Sequence, residues 1–420
     1  MTDLGVLLAR HGYGAVAHDR TARGGAHTYV SRLLGRRTVV LGDPEGARAF
    51  YDESLARRAG AVPPPLARLL FGRGTVHGMD GTEHRDRKRL FLDVLDPDRL
   101  DSLVDEVRGA LITRAAGWTG REVDLHRELV SVYGAATLHW AGLDVSRREA
   151  DLVSRRLAEI VDGFGFAGMA YVRGWRARRW AERWARSAVR DARAGRTSRP
   201  ATGSALQMVA ATDLDEHEAA VALLNVLRPT VAVSWLGCFA GLALASVPAE
   251  ERARLVPAEA RHERYAFAQE VRRTSPFVPA LTARAVRGDE VSGVRIRPGD
   301  RLLLDVIGID HHDTRWPAPH LFDADRFLHH DEVTAQSAFD LVPQGGGHPS
   351  GHRCPGESLT LRLLSETVGV LAAVELEVSP EAADATRMPT LPRGIDRVRV
   401  GHPTRRGPDS AWVAPARALQ

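Results

Sequence analysis

The stretch that decides the fold runs from Pro343 to Leu364 and reads PQGGGHPSGHRCPGESLTLRLL. It places three consecutive glycines ahead of Cys354, and an apolar pattern at helical spacing begins directly behind that cysteine. Glycine lets the backbone approach a flat ligand closely, and a thiolate at the start of a helix is stabilised by the helix dipole and nearby N–H groups. Such a sulfur suits haem iron. A lone cysteine is more often a buried structural residue, an interpretation that fits Cys238 in its apolar run.

In this loop the sequence resembles the cytochrome P-450 superfamily, and the form QGGG followed by GHRCPGE is similar to the branch of bacterial fatty-acid peroxygenases. Glu270 and Arg273 in QEVRR match the E-x-x-R helix of the family, and Arg326 in FDADRF matches the arginine that completes its triad. Most members carry phenylalanine seven residues before the cysteine, where this chain has Gly347, and the peroxygenase branch tolerates a longer glycine loop. The resemblance spans roughly residues 25 to 400.

The resemblance implies a mainly α fold with small peripheral β-sheets, in which heme b lies between a central helix and the helix behind the cysteine loop. Cys354 is then the axial ligand of the iron. His84, Lys88 and His352 lie where the family places partners for the haem propionates. The alternative for GTEHRDRKRL is an ordinary solvated helix face, although His84 and Lys88 share one face at i,i+4 spacing.

The remaining patterns predict one interlocked domain over residues 1–420, because no linker or composition shift marks a boundary. HTYVSRLL and TVVLG flank a turn at 35–37 and are typical of a hairpin. Apolar residues recur mainly at helical spacing from Thr82 to Glu270, and short extended segments return after Pro276.

The chain has a formal net charge of +4, carried almost wholly by arginine, since Lys88 is the only lysine. We interpret this as composition bias and expect no nucleic-acid partner. The two cysteines do not form the framework of a secreted protein, which favours a reducing cytoplasm, and the N-terminus shows no export signal. The uncharged run 229–249 approaches the length of a membrane span, but its serines and glycines favour a buried helix.

Arg228 and Pro229 interrupt the apolar helix LLNVLRPTVAVSWLGCFAGLAL. A proline in a helix interior costs about 3 kcal/mol, and a buried guanidinium needs an anion. We expect Arg228 to bind a substrate carboxylate in bidentate geometry; the alternative is an internal Asp or Glu partner. By resemblance, most oxygenases of the superfamily carry an acid–alcohol pair here, so Arg228-Pro229 implies a peroxide-driven reaction in which the substrate carboxylate is the acid–base group.

His77, in GRGTVHGMDG, matches a position near the haem where the family places His or Gln, and we expect Phe71 to pack beneath it. Its imidazole is a candidate proton donor, and a structural hydrogen-bonding role is the alternative. Phe164, Phe166 and Ala232 are expected to line the substrate channel by resemblance. Family members of this type hydroxylate fatty acids at the alpha or beta carbon, and some remove the carboxyl group to give a terminal alkene.

The sequence therefore predicts a peroxygenase that uses hydrogen peroxide and a fatty or other carboxylic acid, with no obligatory reductase. One alternative is a reductase-dependent monooxygenase acting on a natural-product acid, and another is a haem carrier or sensor without turnover. Trp180 and Trp184, flanked by arginines, are compatible with a membrane-surface helix, but a solvated cover helix with one packed face is the preferred interpretation.

Overall fold

A computed structural model shows how these elements are arranged. The residues that the structure describes are 2–165, 168–196, 203–275, 277–329, 338–374, 376–378, 388 and 397–400.

Helices make up most of the described chain, as the sequence predicted. In chain order they are α1 (Leu4–His11), α2 (Ala15–Ala22), α3 (Pro44–Tyr51), α4 (Pro64–Leu70), α5 (Gly81–Val94), α6 (Pro97–Ala115), α7 (Leu125–Trp140), α8 (Arg147–Asp162), α9 (Gly168–Arg193), α10 (Ala205–Ala210), α11 (Glu216–Ser246), α12 (Ala249–Arg254), α13 (Arg261–Thr274), α14 (Val306–Asp310), α15 (Arg326–His329) and α16 (Glu357–Ala372).

The strands in the described ranges form two small sheets and one separate hairpin. They are β1 (Tyr29–Leu33), β2 (Arg36–Leu41), β3 (Ala56–Arg57), β4 (Glu122–Asp124), β5 (Ala280–Ala285), β6 (Asp289–Val291), β7 (Val294–Ile296), β8 (Arg301–Asp305), β9 (Leu376–Val378) and β10 (Arg397–Val400). The larger sheet has the order β1-β2-β8-β5-β3, the second has the order β4-β10-β9, and β6 pairs with β7.

The N-terminal hairpin is confirmed, but its predicted turn at 35–37 is wrong by two residues. Strand β2 already begins at Arg36, and the turn is made by Leu34 and Gly35, whose φ angles are 52° and 73°. Two successive positive φ angles match the right-handed twist of paired strands, which is why the turn is this tight. Arg36 and Arg37 therefore pair with Leu33 and Arg32 across the ladder.

Helix α11 runs through the middle of the structure and is buried along almost all of its length. It packs against α7, α8, α9 and α16. It is long and apolar enough to cross a membrane by length and composition, yet 89% of its most apolar window is buried inside the fold. The expectation of a buried central helix is confirmed, and Cys238 lies within it, fully buried.

Helix α13 carries a buried ion-pair network that joins it to the first residue of α15 and to the segment in front of that helix. Arg273 donates from Nε and Nη2 to the two carboxylate oxygens of Glu270, each at 2.7 Å, and both side chains are fully buried. Arg326 lies 3.5 Å from the same carboxylate, and Arg273 also donates to the carbonyls of Asp310 and Pro319. The predicted structural triad of Glu270, Arg273 and Arg326 is thereby assembled.

We predict that Glu270→Gln lowers the free energy of unfolding of the haem-loaded protein by about 3–5 kcal/mol, because it leaves a buried guanidinium without its counter-charge. Denaturant titration measures this loss. Asp86→Asn is the matched control, since Asp86 forms an i,i+3 pair with Arg89 of which both side chains are more than half exposed, and its removal should cost at most about 1 kcal/mol. Equal effects of the two variants would contradict the assignment.

Candidate active site

Cys354 lies at the end of the glycine-rich loop, directly ahead of α16. Its backbone N–H donates to the carbonyl of Gln344 at 3.0 Å, and Nε2 of Gln344 lies 3.6 Å from Sγ. Burial raises the pKa of the Cys354 thiol, whereas the Gly356 N–H and the charge of Lys88 act in the opposite direction. The sulfur is therefore surrounded by donors that stabilise a thiolate once a cation binds to it.

The glycines before Cys354 are required by the shape of this loop. Gly345 and Gly347 have φ angles of 92° and 82°, a region that residues with a Cβ rarely adopt. A Cβ at Gly345 would also lie 2.8 Å from the hydroxyl of Tyr51. The departure from the usual phenylalanine at Gly347 is thus part of a loop conformation that phenylalanine would strain.

The loop is fixed to α13 by charge. Glu357, the first residue of α16, pairs with the buried Arg272 of α13 and with Arg353 of the loop. Because Arg272 belongs to α13 and Arg353 belongs to the cysteine loop, Glu357 fixes the start of α16 relative to Cys354. Sequence reasoning missed this bridge because Arg272 has no distinguishing local pattern.

His84, Lys88 and His352 come together as predicted, on the side of the loop that faces α5. The rings of His84 and His352 lie 3.9 Å apart, and Lys88 donates to the carbonyl of Arg353. His84 and Lys88 are only 2% and 3% exposed, which excludes the alternative of a solvated helix face for these two residues. Arg58, which the sequence did not single out, adds a guanidinium beside them.

This cluster has more cationic groups than acids. Asp80 is 3.5 Å from Nε2 of His352 and also accepts hydrogen bonds from the backbone of Arg58. Burial lowers the pKa of Lys88 to about 8, and the charges of Arg58, His84 and Lys88 add to burial in lowering that of His352. Nδ1 of His84 and Nη1 of Arg58 are buried without a hydrogen-bond partner among the described residues. Such a cluster is suited to binding anions.

The residues present fit a haem. A thiol at a helix start, a glycine loop that permits close approach, two cations (Arg58 and Lys88) and two imidazoles match a flat iron complex that carries two propionates. Cys354 would hold the iron, while Arg58, His84, Lys88 and His352 would hold the propionates.

A second group of predicted residues lies on α11 and on the segment that follows α4. The rings of Phe71 and His77 stack at 3.9 Å, and the guanidinium carbon of Arg228 lies 5.8 Å from the centre of the Phe71 ring. Nδ2 of Asn225 donates to the carbonyl of Phe71 at 3.0 Å. Asn225, three residues before Arg228 in the apolar run, was missed, although a polar residue in that run was a usable signal.

Arg228 is 7% exposed, and its Nε has no hydrogen-bond partner within the part of the chain that the structure describes. No ion pair between described residues includes it, so the alternative of an internal carboxylate finds no support there. Burial and then the charge of Arg178 lower the pKa of Arg228 to about 9, while Cys354 acts in the opposite direction. The guanidinium therefore remains cationic at neutral pH.

The two groups are close enough to interact electrostatically. The charges of Arg228, Lys88 and His84 all act on His77, and burial together with these charges lowers its pKa to about 3. His77 is consequently a neutral imidazole at physiological pH.

Two further predicted residues lie on α11 beside Arg228. Ala232 is half-buried and lies one turn beyond Arg228, on the same face of the helix. Pro229 is the proline inside this helix.

The predicted channel residue Phe164 takes part in an aromatic cluster farther along α11. Its ring stacks on Phe277 at 6.4 Å, and Phe277 meets Trp235 edge-on at 5.9 Å. Trp235 follows Arg228 by two helical turns, about 10 Å along the axis. Phe277 and Trp235 were missed, and Phe166 lies outside the described residues.

The preferred interpretation of the tryptophans on α9 agrees with the structure. Trp180 and Trp184 stack at 6.3 Å, and Nε1 of Trp184 donates to Glu149 of α8 at 3.0 Å. Helix α9 packs on α8 and α11 and carries exposed arginines on its outer face.

Comparison with known proteins agrees with this site. A family model described as Cytochrome P-450 matches residues 265–382. Cytochrome P-450SP alpha (CYP152B1) in complex with (R)-ibuprophen is 33% identical with a TM-score of 0.87, and the match covers 95% of this chain and 98% of that chain. Cytochrome P-450EX alpha (CYP152N1) with myristic acid is 32% identical with a TM-score of 0.86, over 94% of this chain and 96% of that one. A variant of cytochrome P-450 OleT in complex with arachidonic acid is 28% identical with a TM-score of 0.88, over the same shares of the two chains.

Curated relatives are more distant. Dimethylnonatriene synthase of Arabidopsis thaliana is 33% identical over 129 residues, which is 30% of this chain and only 24% of the relative. Abscisic acid 8'-hydroxylase 2 of Oryza sativa subsp. indica is 25% identical over 404 residues, covering 87% of this chain and 78% of the relative. The chain thus spans about a quarter of the length of the first of these proteins.

Identity of 33% over nearly the whole of a solved chain shows the family: this chain belongs to the cytochrome P-450 family of haem-thiolate oxidoreductases. Within that family, its structural neighbours P-450SP alpha, OleT and P-450EX alpha confirm the branch of fatty-acid peroxygenases.

We predict that Cys354→Ser abolishes the red-shifted Soret band of the reduced carbon monoxide complex, because this band requires a thiolate bound to the iron. Absorption spectroscopy of the purified, haem-reconstituted variant measures the change. Cys238→Ala, which alters the buried cysteine of α11, is the control and should keep the band. Its loss in the control alone would sink the assignment.

Proposed function

We propose that this protein is a hydrogen-peroxide-dependent peroxygenase that oxidises fatty or other carboxylic acids at the alpha or beta carbon. The observation that carries the proposal is Arg228, a buried guanidinium without a carboxylate partner among the described residues, on whose pKa the charge of Cys354 acts. We further propose one haem-thiolate domain over residues 1–420 that works in the cytoplasm and needs no reductase, nucleic acid or membrane.

Arg228 is proposed to bind the substrate carboxylate. Its planar fork can donate two parallel hydrogen bonds to the two carboxylate oxygens, and these bonds fix both the position and the orientation of the acid. The solved neighbours support this step, since (R)-ibuprophen, myristic acid and arachidonic acid are all carboxylic acids. The alpha and beta carbons are then held at a fixed distance from Arg228, while the rest of the substrate extends away from it.

The bound haem supplies the oxidising chemistry when hydrogen peroxide is present. Heterolysis of peroxide needs a group that takes a proton from one oxygen and returns it to the other. The carboxylate held by Arg228 is proposed to be this group, because Pro229 stands where an acid–alcohol pair is usual and His77 is neutral. In hydroxylation a C–H bond and peroxide give an alcohol and water; in decarboxylation the acid and peroxide give an alkene, carbon dioxide and two waters.

Phe71 and His77 are proposed to form one wall of the reaction space. Their stacked rings place apolar surface beside the anchor, and the Phe71 carbonyl is held by Asn225. Phe164 and Ala232 are proposed to line the path of the substrate chain, with Phe277 and Trp235 as further members of that wall.

We predict that Arg228→Ala lowers turnover of a saturated fatty acid by about 10²–10⁴-fold in a reaction with hydrogen peroxide and no reductase, because both the anchor and the acid–base group are lost. Product analysis by mass spectrometry measures it. Arg179→Ala, at an exposed arginine of α9, is the matched control and should retain wild-type turnover. A substrate that lacks a carboxylate should react only when a short carboxylic acid is added.

Two outcomes of this experiment would favour other functions. Product that appears only with a reductase and reduced nicotinamide cofactor would indicate the monooxygenase, and acid binding without any product would indicate the carrier or sensor.

We predict that His77 contributes no transition to the pH profile of turnover between about pH 5 and 8, where an unperturbed imidazole would titrate. The pKa of His77 is lowered to about 3, so the ring becomes cationic only below that pH. His77→Gln should keep the shape of the profile. An inflection near neutral pH that disappears in this variant would show that His77 is charged during catalysis.

A further inference from the structure

We infer that Arg178 is a positioning residue that couples helix α9 to the carboxylate anchor, by fixing the backbone of Phe71 and by placing a second positive charge near Arg228. This inference rests on the function proposed above, because it concerns how tightly and in what position that anchor holds an acid.

The first observation is where the Arg178 side chain lies. It is 1% exposed, in contrast to its exposed neighbours Arg176 and Arg179 on the same helix. Its Nη1 and Nη2 donate to the carbonyls of Leu70 and Phe71 at 3.4 and 3.3 Å. These carbonyls close helix α4, whose last turn has no intrahelical donors for them. A guanidinium from the cover helix therefore caps the end of α4.

The space for this guanidinium is created by Gly72. Its φ angle is 92°, and a Cβ at this position would lie 2.2 Å from Nη2 of Arg178. A side chain here would displace Arg178 and strain the backbone. The local sequence Phe71-Gly72 is thus fitted to receive an arginine from α9.

The carbonyl of Phe71 is the point at which three elements meet. It accepts from Arg178 of α9 and from Asn225 of α11, and the ring of the same residue stacks on His77 and lies near Arg228. A displacement of α9 therefore moves the Phe71 ring relative to the anchor. This arrangement transmits the position of the cover helix to the site where the acid binds.

The second contribution is electrostatic. Arg178 pairs through Nε with Glu182 at 2.8 Å, and the Glu182 side chain is 20% exposed. Arg178 and Arg228 together place two positive charges in the interior against this one partly solvated carboxylate. An anion bound at Arg228 relieves the repulsion between the two guanidinium groups, so the charge of Arg178 raises the affinity of the site for acids.

The test uses four variants of the haem-loaded enzyme: Arg178→Met, Arg178→Lys, Glu182→Gln and the exposed control Arg179→Met. The dissociation constant of a saturated fatty acid is measured from the change in the haem absorption spectrum. The dissociation constant of imidazole, a neutral iron ligand that needs no anchor, is measured in parallel. Turnover number, KM and the ratio of alpha to beta products are then determined with hydrogen peroxide.

We expect Arg178→Met to weaken fatty-acid binding by about tenfold and to change the product ratio, while imidazole binding stays constant. Arg178→Lys should restore part of the affinity but not the product ratio, because a lysine keeps the charge and cannot bridge two carbonyls. Glu182→Gln should tighten acid binding, since it removes the negative charge beside Arg178. Arg179→Met should resemble the wild type.

Other results would overturn the inference. Wild-type affinity and product ratio in Arg178→Met would leave Arg178 with a purely structural role, and so would an equal loss of fatty-acid and imidazole binding. If Arg178→Met does not fold, Glu182→Gln decides the matter, because a structural role predicts no tightening. Failure of the proposed function is distinguishable: Arg228→Ala would then bind fatty acids as the wild type does.

Discussion

Buried positive charge is the constraint on which the active site depends. Lys88 and the half-buried Arg58 on one side, and the buried Arg178 and Arg228 on the other, lie in one part of the interior. A buried cation without a counter-charge is destabilising by several kcal/mol. The acids that act on these four cations among the described residues are Asp80, Glu53 and Glu182, which are fewer than the cations. Anionic ligands that bind in this region supply the missing counter-charge. They therefore stabilise the folded state.

The central helix accommodates this charge through two irregular residues. Pro229 cannot donate a hydrogen bond to the carbonyl of Asn225, four residues earlier, so the helix lacks one backbone hydrogen bond beside Arg228. The hydroxyl of Thr230 donates to the carbonyl of Val226 at 3.0 Å, which adds a side-chain bond in the same turn. The surrounding packing of α11 against α7, α8, α9 and α16 holds the helix through this defect. Helix α11 therefore carries the proposed substrate anchor and is also the central helix of the hydrophobic core.

The sequence predicted the features that are encoded within one contiguous segment. The cysteine loop, the E-x-x-R helix and the Arg228-Pro229 step each have a local pattern, and each lies where the pattern required. Residues that reach the site from distant segments were not predictable in this way. Arg58 follows β3 and Arg178 is one of many arginines on α9, so only tertiary packing distinguishes them from solvated neighbours. The prediction of the first hairpin turn failed within a contiguous segment. Leu34 adopts a positive φ angle, which its residue type does not predict.

The single lysine of the chain has a chemical consequence. Lys88 is 3% exposed and donates to the carbonyl of Arg353, next to the iron-ligating cysteine. Reagents that acylate amines therefore find no accessible lysine side chain on the folded surface. A label on Lys88 records an opening of the propionate side of the site, and its position in the chain is unambiguous. The chain therefore carries a single chemical reporter of that opening.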